Sequence, residues 1–311
     1  AVPEFPEPAF RTHSLLLTGL IGVNFFMDLP AIDGVDYADS YMKFTVSGKG
    51  GRTTTDPYDP DDRNEDGSYY SFTCYVTSIQ MADTITAEFH YFENGAEKTK
   101  AQTYSVARYV EEFEKVRDSY DELTAAAVHS LADYGHYVKP ALAAENKWIL
   151  GTDYAVMNKS RMSDYSIGEA NKITKAVEKY AIVCDKSGSG IRSVSYRLRL
   201  DSSTKISVFL KPEAGYEGQL TAYLDGGTKN AAVLQSDGRY CIQISDIPAH
   251  ELGKAHTVRV IADKEFTVTL SALSYVQTIL NSEKYEDDTD LIYAMLSLYN
   301  YYDAIRNYND R

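Results

Sequence analysis

The sequence predicts an α+β protein that is mainly β, with two tandem antiparallel β-sandwich-like units, each followed by a helical hairpin. Three observations carry that prediction. The chain is written twice, since aligning His13 to Met27 on Tyr196 to Leu210 places Leu15, Leu17, Val23, Phe26 and Met27 on Leu198, Leu200, Ile206, Phe209 and Leu210 at a constant offset of 183. The hydrophobic period changes from two to 3.6 at corresponding points of both copies. Strands run first and helices last in each copy, an order that favours an antiparallel α+β layout over a parallel βαβ core.

Later matches drift in offset, which puts the length changes in loops, where they cost least. Asp66-Gly-Ser-Tyr69 falls on Asp237-Gly-Arg-Tyr240, and Val76-x3-Gln-Met-Ala82 on Ile247-x3-Glu-Leu-Gly253, both at 171. Ser105-x3-Tyr-Val110 falls on Ser271-x3-Tyr-Val276, and Ser130-Leu-x2-Tyr134 on Ser297-Leu-x2-Tyr301.

In the first copy His13 to Leu17 and Val23 to Leu29 read as short strands around Thr18-Gly19, followed by Tyr41 to Val46 and Tyr69 to Val76. Thr84 to Tyr91 alternates apolar and polar, as a half-buried strand does, and Asn94-Gly95 marks a hairpin turn because Gly reaches positive φ without strain. Helices follow. One spans Ser105 to about Val116; the next opens on the capping-box pattern Ser119-x-x-Glu122 and carries Leu123, Ala127, Leu131, Tyr134 and Val138 as one apolar stripe. The second copy repeats this with a helix from Ser271 to about Leu280 and a stripe of Leu291, Ala294, Met295, Leu298, Tyr302 and Ile305. The units are expected at 1–140 and 191–311. Between them, 141–190 forms a linker with one helix over Ile167 to Tyr180, and Lys186-Ser-Gly-Ser-Gly190 is its flexible boundary.

At 311 residues and 44% apolar side chains the chain can bury two ordinary cores. A net charge of −14 and a pI near 4.9 argue against nucleic acid or anionic lipid as partners, because both need clustered Lys and Arg. No apolar run approaches the roughly 20 residues that span a bilayer. Beginning at Ala1 without a basic and apolar leader, the chain is expected to be a processed secreted protein or an excised piece. Of the three cysteines, Cys74 and Cys241 are expected to be small buried hydrophobes rather than parts of a disulfide framework or a metal knuckle, and Cys184 lies outside the repeat. The 26 tyrosines suit β-sheets and recognition surfaces alike.

The acidic loop Asp56 to Gly67 has no equivalent in the second copy. Within it Asp62-x-Asn64-x-Asp66-Gly67 reproduces the first half of a calcium loop, where alternate oxygen-bearing side chains wrap a hard cation. The twelfth position is Thr73 rather than a bidentate Glu, so a solvated loop with an Asp-Gly turn is the primary reading and calcium on Asp62, Asn64 and Asp66 the alternative. His250 and His256 are six apart, whereas two ligands on one helical face need a spacing of four. Gly-x-Ser-x-Gly, Gly-x4-Gly-Lys-Ser/Thr and Gly-x-Gly-x-x-Gly do not occur. With 45 Asp and Glu, some carboxylate pair at glycosidase spacing is inevitable and uninformative. Tyr58 and Trp148 are candidates for stacking on a sugar ring, against the blander reading of Trp148 as an aromatic buried under the linker.

The segments His13-Ser-Leu-x-Leu-x-Gly-x-Ile-Gly-Val-Asn-Phe-x-Met27, Gln80-Met-Ala-Asp-Thr-Ile-Thr-Ala87, Ala272-Leu-Ser-Tyr-Val276 and Leu298-Tyr-Asn-Tyr-Tyr-Asp-Ala304 resemble a module of large secreted and surface proteins of gut Clostridia-type bacteria, often found beside leucine-rich repeats, Ig-like domains or dockerins. The resemblance covers about 13–140 and 191–311 and implies an extracellular, cell-surface setting; it brings no catalytic residues. The acidic insertion departs from that family's shorter loop. The expected function is a non-catalytic surface module for attachment, presentation or spacing of neighbouring domains, with no cofactor apart from the calcium alternative. A carbohydrate- or glycoprotein-binding module is the second reading and a glycoside hydrolase the third. The partner would be a surface polysaccharide or protein.

Overall fold

The computed structural model describes residues 7–17, 19–48, 51–64, 69–145, 154–200, 204–216 and 218–311. The chain divides into two units, residues 1–160 and 161–311. Among the described residues fifteen strands form four antiparallel sheets, so the α+β, mainly β expectation holds.

In the first unit β1 (Ala9–Leu16), β2 (Gly22–Asp28) and β5 (Tyr70–Tyr75) form one sheet in the order β1-β2-β5. The other sheet holds β3 (Val35–Val46), β4 (Thr53–Pro57), β6 (Ile85–Glu93) and β7 (Ala96–Tyr104) in the order β4-β3-β6-β7. Period-two patterning aims Ile85, Ala87, Phe89 and Tyr91 inward from β6. The two sheets face each other through aromatic rings: Phe25 lies 5.3 Å from Phe44, and Phe72 lies 5.4 Å from Phe89. All four rings are fully buried, and losing any one to Ala would cost about 3–5 kcal/mol. Asn94 and Gly95, with φ of 52° and 78°, join β6 to β7 in the expected two-residue turn.

Helix α1 (Val106–Lys115) starts where Ser105 Oγ accepts the Arg108 N–H at 3.0 Å. Helix α2 (Glu122–Glu145) follows, but Ser119 does not cap it. Asp121 does, its carboxylate accepting the Thr124 N–H at 2.8 Å, while Glu122 pairs with Arg117 instead. A carboxylate next to the first helical residue reaches the free N–H groups that a serine two residues further back cannot. Ala127, Leu131, Tyr134 and Val138 are buried as expected; Leu123, in the first turn, is exposed.

The second unit opens with α3 (Ile167–Val177), capped reciprocally by Ser166 and Glu169. One of its sheets runs β12-β13-β10-β9, built from β9 (Ile191–Arg199), β10 (Lys205–Pro212), β12 (Val233–Leu234) and β13 (Tyr240–Ile244). The other runs β11-β14-β15-β8, from β8 (Val183–Cys184), β11 (Thr221–Leu224), β14 (His256–Ile261) and β15 (Phe266–Leu270). Helices α4 (Ala272–Leu280) and α5 (Thr289–Asn309) close the unit, with Leu291, Ala294, Met295, Leu298, Tyr302 and Ile305 all buried.

Duplication extends to register. Setting aside the edge strands β4, β8 and β12, β1-β2-β5 corresponds to β9-β10-β13 and β3-β6-β7 to β11-β14-β15. Leu15 faces Val23 as Leu198 faces Ile206. Phe72 faces Phe25 as Ile242 faces Val208, so the offset within this strand is 170, one less than the Tyr69 and Tyr240 match implies. The extra residue enters after the strand, where Asp246 adopts φ 58°, and Val76 and Ile247 are again equivalent through their bonds to Ile21 and Thr204. Asp288 caps α5 as Asp121 caps α2.

The division into units falls inside the stretch 141–190. The Gly/Ser run is not a flexible boundary but a built turn of the second unit: Ser189 is buried, its hydroxyl donates to the Lys186 carbonyl at 2.6 Å, and its own carbonyl accepts the Asp263 N–H. All three cysteines are free; Cys74 is buried, and burial pushes its thiol up to about 12, while Cys184 and Cys241 are partly buried. Among the described residues no helix is long and apolar enough to cross a membrane.

Candidate ligand-binding cleft

The first unit carries a decoration that the second lacks. In β3 the pairing with β6 slips between Asp36 and Tyr41, so residues 37–40 bulge out of the ladder. Bulges re-aim side chains, and this one turns Tyr37 and Asp36 toward the segment that follows β4. There the Tyr58 N–H donates to the Ser40 carbonyl at 2.9 Å, which ties the acidic loop to the bulge. Between them lies an open cleft of about 320 Å³ lined by Ala31, Ile32, Val35, Asp36, Tyr37, Ala38 and Tyr58.

Its two tyrosine rings, Tyr37 and Tyr58, continue into Tyr70 beyond the lining. Tyr37 lies 6.1 Å from Tyr58, and Tyr58 lies 5.1 Å from Tyr70, with the Arg63 guanidinium 5.6 Å over the Tyr70 ring. Tyr37 is anchored from behind by Phe89 at 6.3 Å and by its hydroxyl, which donates to the Pro30 carbonyl at 2.9 Å. Burial, with the neighbouring tyrosines, pushes the Tyr37 phenol up to about 12; burial and the hydrogen bond with Tyr70 do the same for Tyr58. Both phenols are therefore neutral across the physiological range and keep their O–H groups. Asp36 Oδ1 accepts the Ala38 N–H at 3.0 Å and holds the bulge, with its carboxylate at the lip.

Of the residues singled out in the sequence, Tyr58 is thus a wall of this cleft. Asp62 lies in the one-turn helix Pro60–Asp62, beside Asp59, whose side chain accepts the Asp61 N–H at 2.9 Å. Burial, then Asp59 and Asp61, raise the pKa of Asp62. Asn64 Oδ1 accepts the Tyr69 N–H at 2.9 Å, so one lone pair of this candidate calcium ligand already closes the loop. Asp66 and Trp148 lie outside the described residues. Asp56 is set into the base of the loop, where its carboxylate accepts the Thr73 N–H at 2.8 Å; burial raises its pKa. The sequence reading missed Tyr37, Tyr70 and Asp36, and its one available signal was the Tyr-Ala-Asp-Ser break in β3 alternation. Compared with protein-family models and with curated proteins, the chain matches none.

Proposed function

We propose that this chain is a non-catalytic module of the cell exterior that attaches by holding a carbohydrate against Tyr37 and Tyr58. The observation that carries the reading is the open tyrosine-walled cleft built by the β3 bulge and the acidic loop of one copy alone. A pyranose presents an apolar C–H face and a rim of hydroxyls. Two rigid rings held by their neighbours supply the stacking surface at little entropic cost, while the phenol oxygens and the Asp36 carboxylate accept from the hydroxyls of the rim. The extracellular setting is supported by the family resemblance of the sequence. On a single module such a shallow site binds weakly, and attachment would come from linking several modules in one long protein, where effective concentration multiplies modest affinities.

A glycan array followed by titration calorimetry tests this. Binding of a surface polysaccharide fragment should fall about 5-fold in Tyr58→Ala, since a ring contact contributes about 1 kcal/mol, and Tyr58→Phe should keep most of it. Binding indifferent to Tyr58→Ala would remove the cleft from the function. Glycan turnover abolished by Asp36→Asn or Asp56→Asn would replace the module with a hydrolase.

A further inference from the structure

The duplication supplies an internal control, and it exposes a second pocket in the first unit. In the second unit Tyr196 of β9 points its phenol at α4, where its hydroxyl pairs with Thr278 Oγ1 and donates to the Ser274 carbonyl at 3.1 Å. Its ring meets Tyr275 edge-on at 6.3 Å. The first-unit residues equivalent to Tyr196, Ser274, Tyr275 and Thr278 are His13, Arg108, Tyr109 and Glu112, by the strand offset of 183 and the helix offset of 166.

His13 does not fill that place. Its imidazole lies flat on Tyr104, with ring centroids 3.8 Å apart, and leaves a slot of about 160 Å³ lined by Thr12, Tyr109, Glu112, Phe113, Val116 and Tyr120, with His13 and Tyr104 as its floor. Glu112 stands where Thr278 stands. One of its oxygens accepts from the Tyr104 hydroxyl and the other from Arg108 Nε at 2.9 Å, and each keeps a free lone pair. Those two bonds, the Tyr104 one first, hold the Glu112 carboxyl below its usual range, so an ionised acceptor faces the slot.

We propose that this slot is a binding site for a phenol, with the ligand ring seated among Tyr109, Phe113 and Tyr120 and its hydroxyl donating to Glu112, as the tethered phenol of Tyr196 sits in the sister unit. Room for one substituted six-membered ring, a wall of aromatic rings and one part-exposed anionic acceptor select a neutral hydroxylated ring over an anion. The phenol can be a free aromatic compound or the tyrosine side chain of a partner, and both present the same chemistry. The site is independent of the tyrosine cleft on β3.

Titrations of the full chain with p-cresol, N-acetyltyrosinamide and toluene, followed by two-dimensional NMR, test this. p-Cresol should bind more tightly than toluene, and Glu112→Gln should weaken p-cresol about tenfold, the worth of a hydrogen bond to a charged acceptor, without touching toluene. His13→Tyr restores the residue of the sister unit; it should abolish binding and leave the melting temperature unchanged. p-Cresol alone binding identifies free phenols as the ligand class, and N-acetyltyrosinamide binding at least as well identifies a partner's tyrosine. Toluene matching p-cresol, or p-cresol indifferent to Glu112→Gln, overturns the proposal, and these two readouts decide it even if His13→Tyr misfolds.

Discussion

Lys139 is a lysine in the core. Its side chain is 3% exposed and its Nζ stands 2.8 Å from Asp83 Oδ1, whose own side chain is 10% exposed; Tyr154 covers the ammonium at 5.7 Å. The pair pins the turn before β6 to the C-terminal half of α2, and it is an addition of this unit alone, because the equivalent positions hold Lys254 and Arg306, which pair with Glu251 and Asp303. Lys139→Met keeps the length and apolar stem of the side chain but leaves the Asp83 carboxylate buried without its counter-charge. Breaking a buried pair from one side costs roughly 3–5 kcal/mol, which for a unit of this size lowers the melting temperature by roughly 6–20 °C. Adding Asp83→Asn, isosteric with the carboxylate that packs closely against Gly48, removes the orphan charge and should recover at least about 2 kcal/mol, since a neutralised pair is often as stable as the ionic one. Urea unfolding followed by circular dichroism measures both, with the transition of the second unit as an unmoved reference. A Lys139→Met cost under about 1 kcal/mol, the range of exposed pairs, would refute the reasoning, as would a double variant no more stable than the single one.

His13 is the group to watch in acid. Burial, then the nearby Arg108, outweigh the opposing pull of Glu112 and lower its pKa to about 4; a histidine depressed below its unfolded value of about 6.5 contributes stability that is present above that value and lost as pH falls toward 4. Its imidazole proton resonance should titrate near 4, and a midpoint near 6.5 would show that the ring is solvated. For the acidic loop, the melting temperature should be the same in calcium and in chelator. A calcium-dependent rise that disappears in Asp62→Ala combined with Asp66→Ala would instead establish the cation site, through ligand-linked stabilisation of the native state.

Element types and their order follow from the sequence alone, because a strand and a helix impose different periods on which side chains meet the core. The repeat was legible for the same reason: inward positions such as Leu15 and Leu198, or Leu131 and Leu298, tolerate few residue types and so retain a detectable pattern. Local chemistry was legible only where a single partner decides it. Asn94-Gly95 turns because two adjacent residues must take positive φ, whereas the start of α2 went to Asp121 rather than Ser119 because the position of the first free N–H chooses the cap. A Gly/Ser run reads as flexible by composition, yet Ser189 is buried because Lys186 and Asp263 come to it from the fold. The register of β5 also lay beyond the sequence, since a one-residue insertion at Asp246 is invisible until the cross-strand bonds are seen. The sites belong to the tertiary structure for one reason throughout. Tyr37, Tyr58 and Tyr70 meet because a bulge and an edge strand fold onto each other, Lys139 meets Asp83 across 56 positions, and the slot beside Glu112 exists because His13 lies flat on Tyr104 where the sister unit inserts a tyrosine. Contacts between residues far apart in the chain leave no period in the sequence, and these contacts are the ones that shape a cleft.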